Sequence, residues 1–105
     1  MKISFTPMRR AERITLSKSN DVLAVNGEAF DFSPLPEGAT LPLDAIDSGW
    51  FAGPVERIAG VLHLTLILPH GTNAPRETLF PEPLDLIGDG PVTLPPYETE
   101  PPHAD

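Results

Sequence analysis

The stretch Asp21-Val22-Leu23-Ala24-Val25-Asn26-Gly27-Glu28-Ala29-Phe30-Asp31-Phe32 decides the fold class. Two short, apolar-rich runs flank the dipeptide Asn26-Gly27. A two-residue type I′ turn needs positive φ at both central positions, and Asn followed by Gly meets that demand with least strain. The stretch therefore predicts a β-hairpin.

Working outward, the same alternation continues. Ile3 and Phe5 share one face of an N-terminal run, and Ile14 and Leu16 share one face of a second, each with polar residues between. On the other side, residues 34–38 (Pro-Leu-Pro-Glu-Gly) and Leu41-Pro42-Leu43 break the pattern and make a loop. Residues 43–48 have room for one helical turn at most, and Trp50 and Phe51 follow as core anchors. Val55-Glu56-Arg57-Ile58 then turns at Ala59-Gly60 into residues 61–68, a second hairpin. In that long strand Leu62, Leu64, Leu66 and Leu68 share one face, while Val61, His63, Thr65 and Ile67 share the other, half-exposed one. No stretch of ten residues carries a helical period.

Proline governs the remainder. Of the 14 prolines in 105 residues, nine lie in residues 69–105. Proline lacks a backbone N–H and fixes φ, so this third is expected to hold no helix and only short or edge strands. It reads as an arm, ordered where Leu79, Phe80, Leu84, Leu86 and Ile87 find a groove. Gly88-Asp89-Gly90 reads as the turn of a third short hairpin between residues 84–87 and 92–94. Residues 95–105, with Pro95-Pro96-Tyr97 and Pro101-Pro102, read as a flexible polyproline-II tail. The expected fold is thus mainly β, a small antiparallel meander or sandwich built from hairpins, with residues 1–94 as a single domain. A chain this long buries roughly 60% of its unfolded surface, enough for one core without staples.

Charge is unevenly spread. Residues 1–18 hold Lys2, Arg9, Arg10, Arg13 and Lys18 against Glu12 alone, a net +4; residues 19–105 hold Arg57 and Arg76 against 14 acids, a net -12. A total of -8 repels phosphate backbones and anionic lipid, so neither nucleic acid nor a membrane is an expected partner. A bipolar chain of this kind is suited to packing against a copy of itself or a basic partner. No apolar run approaches the ~20 residues of a membrane span, and Met1-Lys2-Ile3-Ser4-Phe5-Thr6-Pro7-Met8-Arg9-Arg10 lacks a secretory apolar stretch. The expected location is the cytoplasm of a bacterial host, with virion association as a further option.

Chemistry is mostly excluded by what the sequence lacks. Zero cysteines remove disulfides, thiolate metal sites and a thiol nucleophile. There is no Gly-x-Ser-x-Gly elbow, no Ser-x-x-Lys and no phosphate-cradling glycine loop with its lysine. His63 and His70 could join Asp85 in a two-histidine, one-carboxylate metal site, but neither spacing nor motif brings them together. Asp44 with Asp47, and Asp85 with Asp89, are the carboxylate pairs; in so acidic a chain they read as solvated charge. No cofactor and no enzymatic activity are expected. Apolar surface remains: Trp50, Phe51, Phe80 and Tyr97 exceed what one core uses, and are the candidate partner contacts.

Residues 25–42 (Val-Asn-Gly-Glu-Ala-Phe-Asp-Phe-Ser-Pro-Leu-Pro-Glu-Gly-Ala-Thr-Leu-Pro), Trp50-Phe51-Ala52-Gly53-Pro54-Val55-Glu56-Arg57-Ile58, Leu62-His63-Leu64-Thr65-Leu66 and Leu68-Pro69-His70-Gly71 together resemble a group of small proteins encoded near the tail genes of proteobacterial bacteriophages and prophages. The resemblance covers roughly residues 1–95 and rests on turn and strand residues, so it carries over no catalytic residue. It implies a phage or prophage origin and a tail-region context. With chemistry excluded, the expected function is that of an interaction protein, a minor tail component or a tail or fibre assembly factor, whose partner is another phage protein or a second copy. Two other classes stay open: an acidic decoy that inhibits a host DNA-binding protein, and a small metal-dependent enzyme using His63 and His70.

Overall fold

A computed structural model describes residues 1–98; residues 99–105, including His103 and most of the expected tail, lie outside it. Nine strands form two sheets. β1 (Lys2–Arg9), β5 (Thr40–Leu41), β6 (Val55–Ile58), β7 (Val61–His70) and β8 (Leu84–Asp85) make the first, in the order β5-β6-β7-β1-β8. β2 (Leu16–Ser19), β3 (Val22–Val25), β4 (Glu28–Asp31) and β9 (Gly90–Pro91) make the second, in the order β4-β3-β2-β9. The mainly-β, hairpin-built architecture is the one the alternation predicts.

Both expected hairpin turns form. Asn26 and Gly27 take φ of 50° and 84°, and Ala59 and Gly60 take 51° and 78°. Asn26 does more than turn the chain: its side-chain oxygen accepts from the Thr15 amide at 2.7 Å, and its amide nitrogen donates to the Arg13 carbonyl at 3.2 Å. A third hairpin, β2 to β3, turns at Asn20 (φ 53°). Its alternating residues Leu16, Leu23 and Val25 meet Ile3, Phe51, Val55, Leu62, Leu64 and Leu66 of the first sheet in one buried cluster. Each such aliphatic side chain contributes about 1.5–3 kcal/mol by leaving water.

Three features depart from the expectations. First, β1 and β7 pair in parallel, from Lys2 opposite His63 to Arg9 opposite His70, while the other strand pairs are antiparallel. Hairpin signals are local, whereas a parallel pair needs a long crossover, here residues 10–60, which run through β2 to β6. Second, Gly88-Asp89-Gly90 does not turn a hairpin. β8 pairs with β1 and β9 with β2, so this segment crosses from one sheet to the other. Asp89 fixes the crossing, its carboxylate accepting from the Asn20 amide at 2.8 Å and from Lys18 Nζ at 3.1 Å. Third, the proline-rich third does contain one helical turn, α1 (Arg76–Leu79). Pro75 precedes it, where a missing N–H costs nothing, and the next proline is Pro81. A 3-10 turn over Leu43–Ala45 matches the single turn expected there.

The prolines inside strands sit where no ladder partner is lost. Pro7 of β1 lies past the two residues that β8 covers. Pro69 of β7 lies past Ile67, the last residue bonded on that side, through the Trp50 carbonyl at 2.8 Å.

Candidate functional site

β1 is the strand whose sequence and surroundings are most unequal. Met1 and Leu86 exchange two hydrogen bonds, at 3.0 and 2.7 Å, and the Arg10 amide donates to His70 at 3.2 Å. Successive residues of a strand aim their N–H and C=O groups at opposite edges, so odd-numbered residues of β1 face β8 and even-numbered ones face β7. β8 ends its pairing at Ile3. Beyond it, the N–H and C=O groups of Phe5 and Arg9 and the C=O of Pro7 point to an edge where, among the described residues, no hydrogen bond reaches them. Of the residues that face it, Arg9 is exposed and Phe5 and Pro7 are half-buried. Pro7 at its centre removes one donor, a feature by which natural edge strands limit indiscriminate pairing.

The second sheet has its own open edge. β4 is outermost, and the Phe32 amide donates back to Asp21 at 2.9 Å, so even-numbered residues face β3 while Ala29 and Asp31 face outward. Glu28, Ala29 and Asp31 are exposed. The remaining edges, β5, β8 and β9, are two residues long, and Pro91 blunts β9.

At the far end of β1 lies the basic cluster. The Arg10 guanidinium sits 4.7 Å from the centre of the Trp50 ring, and that of Arg13 sits 4.5 Å from the Tyr97 ring. Tyr97 straps this end down: its hydroxyl donates to the Arg10 carbonyl, and its own carbonyl accepts from Gly71 at 2.9 Å. Thr78, fully buried on α1, donates its hydroxyl to the Pro96 carbonyl. Pro96 and Tyr97, placed in the tail by the sequence, are thus held against the body. A cleft of about 500 Å³ opens here, lined by Arg9, Arg10, His70, Thr72, Tyr97 and Glu98 among others.

The four aromatic residues singled out from the sequence fall into different settings. Phe51 is buried, edge-on to Phe30 and Phe32 with ring centres 5.1 and 6.1 Å away, and belongs to the core. Trp50 and Tyr97 are half-buried under their arginines at one end of the molecule. Phe80 is 68% exposed beside Arg76. Of the arm's apolar residues, Leu86 packs on the core and Leu84 is half-buried, whereas Leu79, Phe80 and Ile87 stand exposed instead of filling a groove.

The metal set does not assemble. His63 and His70 are seven residues apart on one strand and so project to opposite faces. Lys2 stands between His63 and Asp85 in the register, and His70 turns Nδ1 to the Gly71 carbonyl at 3.0 Å. No three His, Asp or Glu residues gather as a metal site among the described residues. Asp44 and Asp47 are exposed and have no side-chain hydrogen bond or ion pair among the described residues, and Asp85 and Asp89 serve different sheets.

Three charged residues, Arg57, Glu37 and Asp89, are structural, and of these the sequence reads Asp89 as solvated. Arg57 donates Nε to the Leu35 carbonyl at 2.6 Å and Nη2 to the Phe32 carbonyl at 3.0 Å. Glu37 accepts from the Ala59 and Gly60 amides at 2.7 and 2.5 Å, clamping the β6–β7 turn. Asp89 holds the sheet crossing. A glutamate two dozen residues from its turn leaves no local sequence signal. No helix among the described residues is long and apolar enough to cross a membrane. Comparison with protein-family models, curated proteins and solved structures finds no match to this chain.

Proposed function

We propose that this chain is a non-enzymatic interaction protein of phage or prophage origin, a minor tail component or tail or fibre assembly factor, that adds a strand of its partner to an open sheet edge. The observation that supports it is the β1 edge, whose backbone groups at Phe5, Pro7 and Arg9 have no hydrogen-bonding partner among the described residues. Strand addition uses such groups for affinity and the flanking side chains for specificity. The basic end formed by Arg9, Arg10 and Arg13 adds a charge signal at one end of that edge. The tail context rests on the resemblance of the turn and strand residues quoted above.

Affinity capture of the tagged chain from its source bacterium after prophage induction, followed by mass spectrometry, tests this reading. Tail or fibre proteins should be enriched by the wild type and depleted with Arg9→Pro. That substitution removes one outward donor and leaves the β1–β7 ladder intact. Enrichment of host DNA-binding proteins in their place would favour the acidic-decoy reading and overturn this one.

A further inference from the structure

We infer that copies of this chain associate head to tail, the β1 edge of one copy pairing with the β4 edge of the next. The inference rests on the reading of the chain as an interaction protein and names a second copy as the partner. Two open edges longer than two residues exist among the described residues, and they carry opposite charge. β1 ends in Arg9, exposed and without an ion pair among the described residues, with Arg10 and Arg13 beyond it. β4 presents Glu28 and Asp31, both exposed.

The alternatives pair less well. Joining β1 to β1 across a two-fold axis at Pro7 sets two prolines opposite each other, so the centre of the ladder has no donor. Joining β4 to β4 crowds four carboxylates along a four-residue strand, and like charges facing across a ladder destabilise it. Joining β1 to β4 meets a single proline and sets arginines beside carboxylates. The net charge of -8 on each copy opposes association. At physiological ionic strength the Debye length is about 8 Å, so distant charges are screened while contacts at the edge persist. A contact between two different edges is heterologous, and repeated from copy to copy it builds a ring or an open chain.

Sedimentation velocity of the full chain over a concentration series at physiological salt tests this. The mass should rise with concentration past that of a dimer. Arg9→Glu and Glu28→Lys, both at exposed positions, should each weaken association about tenfold, and mixing the two variants should restore it, since each then offers the other a complementary edge. Ala29→Pro, which removes an outward donor from β4 without changing charge, should weaken association as well, with circular dichroism confirming that the variants fold. A monomer at every concentration would overturn the inference, as would a dimer untouched by these substitutions. The interaction-protein reading survives either result if capture still returns phage proteins, and fails separately if it does not.

Discussion

Arg57 of β6 reaches Asp21 at the β2–β3 turn, its Nη2 lying 3.1 Å from Asp21 Oδ2, so that one side chain ties the two sheets together. The guanidinium is 13% exposed and the carboxylate 41%, which divides the energy unequally. Solvent screens the ion pair, whereas the hydrogen bonds to the Leu35 and Phe32 carbonyls are sheltered.

Replacing Arg57 therefore should cost much more than replacing its partner. Arg57→Ala is expected to lower stability by about 2–3 kcal/mol, because it strands two carbonyls as well as losing the charge contact. Asp21→Asn should cost less than about 1 kcal/mol. Urea unfolding of both variants measures this, and equal losses would show that the ion pair, and not the carbonyl contacts, carries the clamp.

The β6–β7 turn offers a pair of opposite predictions. Ala59 holds a left-handed conformation (φ 51°) that costs an L-residue about 1–2 kcal/mol. Ala59→Gly relieves that strain and adds some unfolded-state freedom, for a net gain of about 0.5–1 kcal/mol. Gly60, at φ 78°, has nothing within 4 Å of where a Cβ would lie, so Gly60→Ala should destabilise through the backbone alone. Thermal unfolding should move up for the first variant and down for the second; a fall in both would show that the turn tolerates no added freedom.

What the sequence discloses about this fold follows the range of the interactions. Asn26-Gly27 and Ala59-Gly60 act within four residues, so both turns are legible. The β1–β7 pairing joins positions about 61 apart in the chain and leaves no local mark. The misread glycine pair at 88 and 90 shows the same limit: the crossing is decided by Asp89 meeting Lys18 and Asn20, about 70 residues away. Of the candidate site the basic end is legible, in the excess of arginine and lysine over residues 1–18, whereas the open edges are not. Which edge stays open depends on where β8 stops, and Trp50 and Phe51, adjacent in sequence, separate into surface and core only once Phe30 and Phe32 close over the latter.

Gly71 is where the strap can be loosened. It does not lie in the left-handed region, so its need for glycine is spatial: an added Cβ would meet Tyr97 Cε1 at 2.9 Å and press on the Glu98 side chain. Gly71→Ala should push Tyr97 and Glu98 off the body, and hydrogen exchange at the residue-71 amide, which donates to Tyr97, should accelerate. Tyr97→Phe removes only the hydroxyl contact to Arg10 and should cost about 1 kcal/mol while the ring stays under Arg13. Unchanged exchange in the Gly71 variant would mean that the Tyr97 ring and Glu98 side chain shift aside while the strap stays bonded to that amide.

The sheet crossing should weaken in acid. The Asn20 amide, and after it the Lys18 ammonium, hold the Asp89 carboxyl below the usual carboxylate range. A carboxyl depressed on folding stabilises the folded state above its unfolded pKa, and that contribution disappears as pH falls through the folded value. At neutral pH the full contribution is present. Asp89→Asn keeps the shape and loses the charge, so the gap in urea midpoint between wild type and variant should be widest near neutrality and should close in strong acid. Asp31, also lowered, by its hydrogen bonds to Ser33, is untouched by this substitution, so its effect cancels from the difference. A gap that stayed constant across the acid range would mean that the Asp89 charge adds nothing to the crossing.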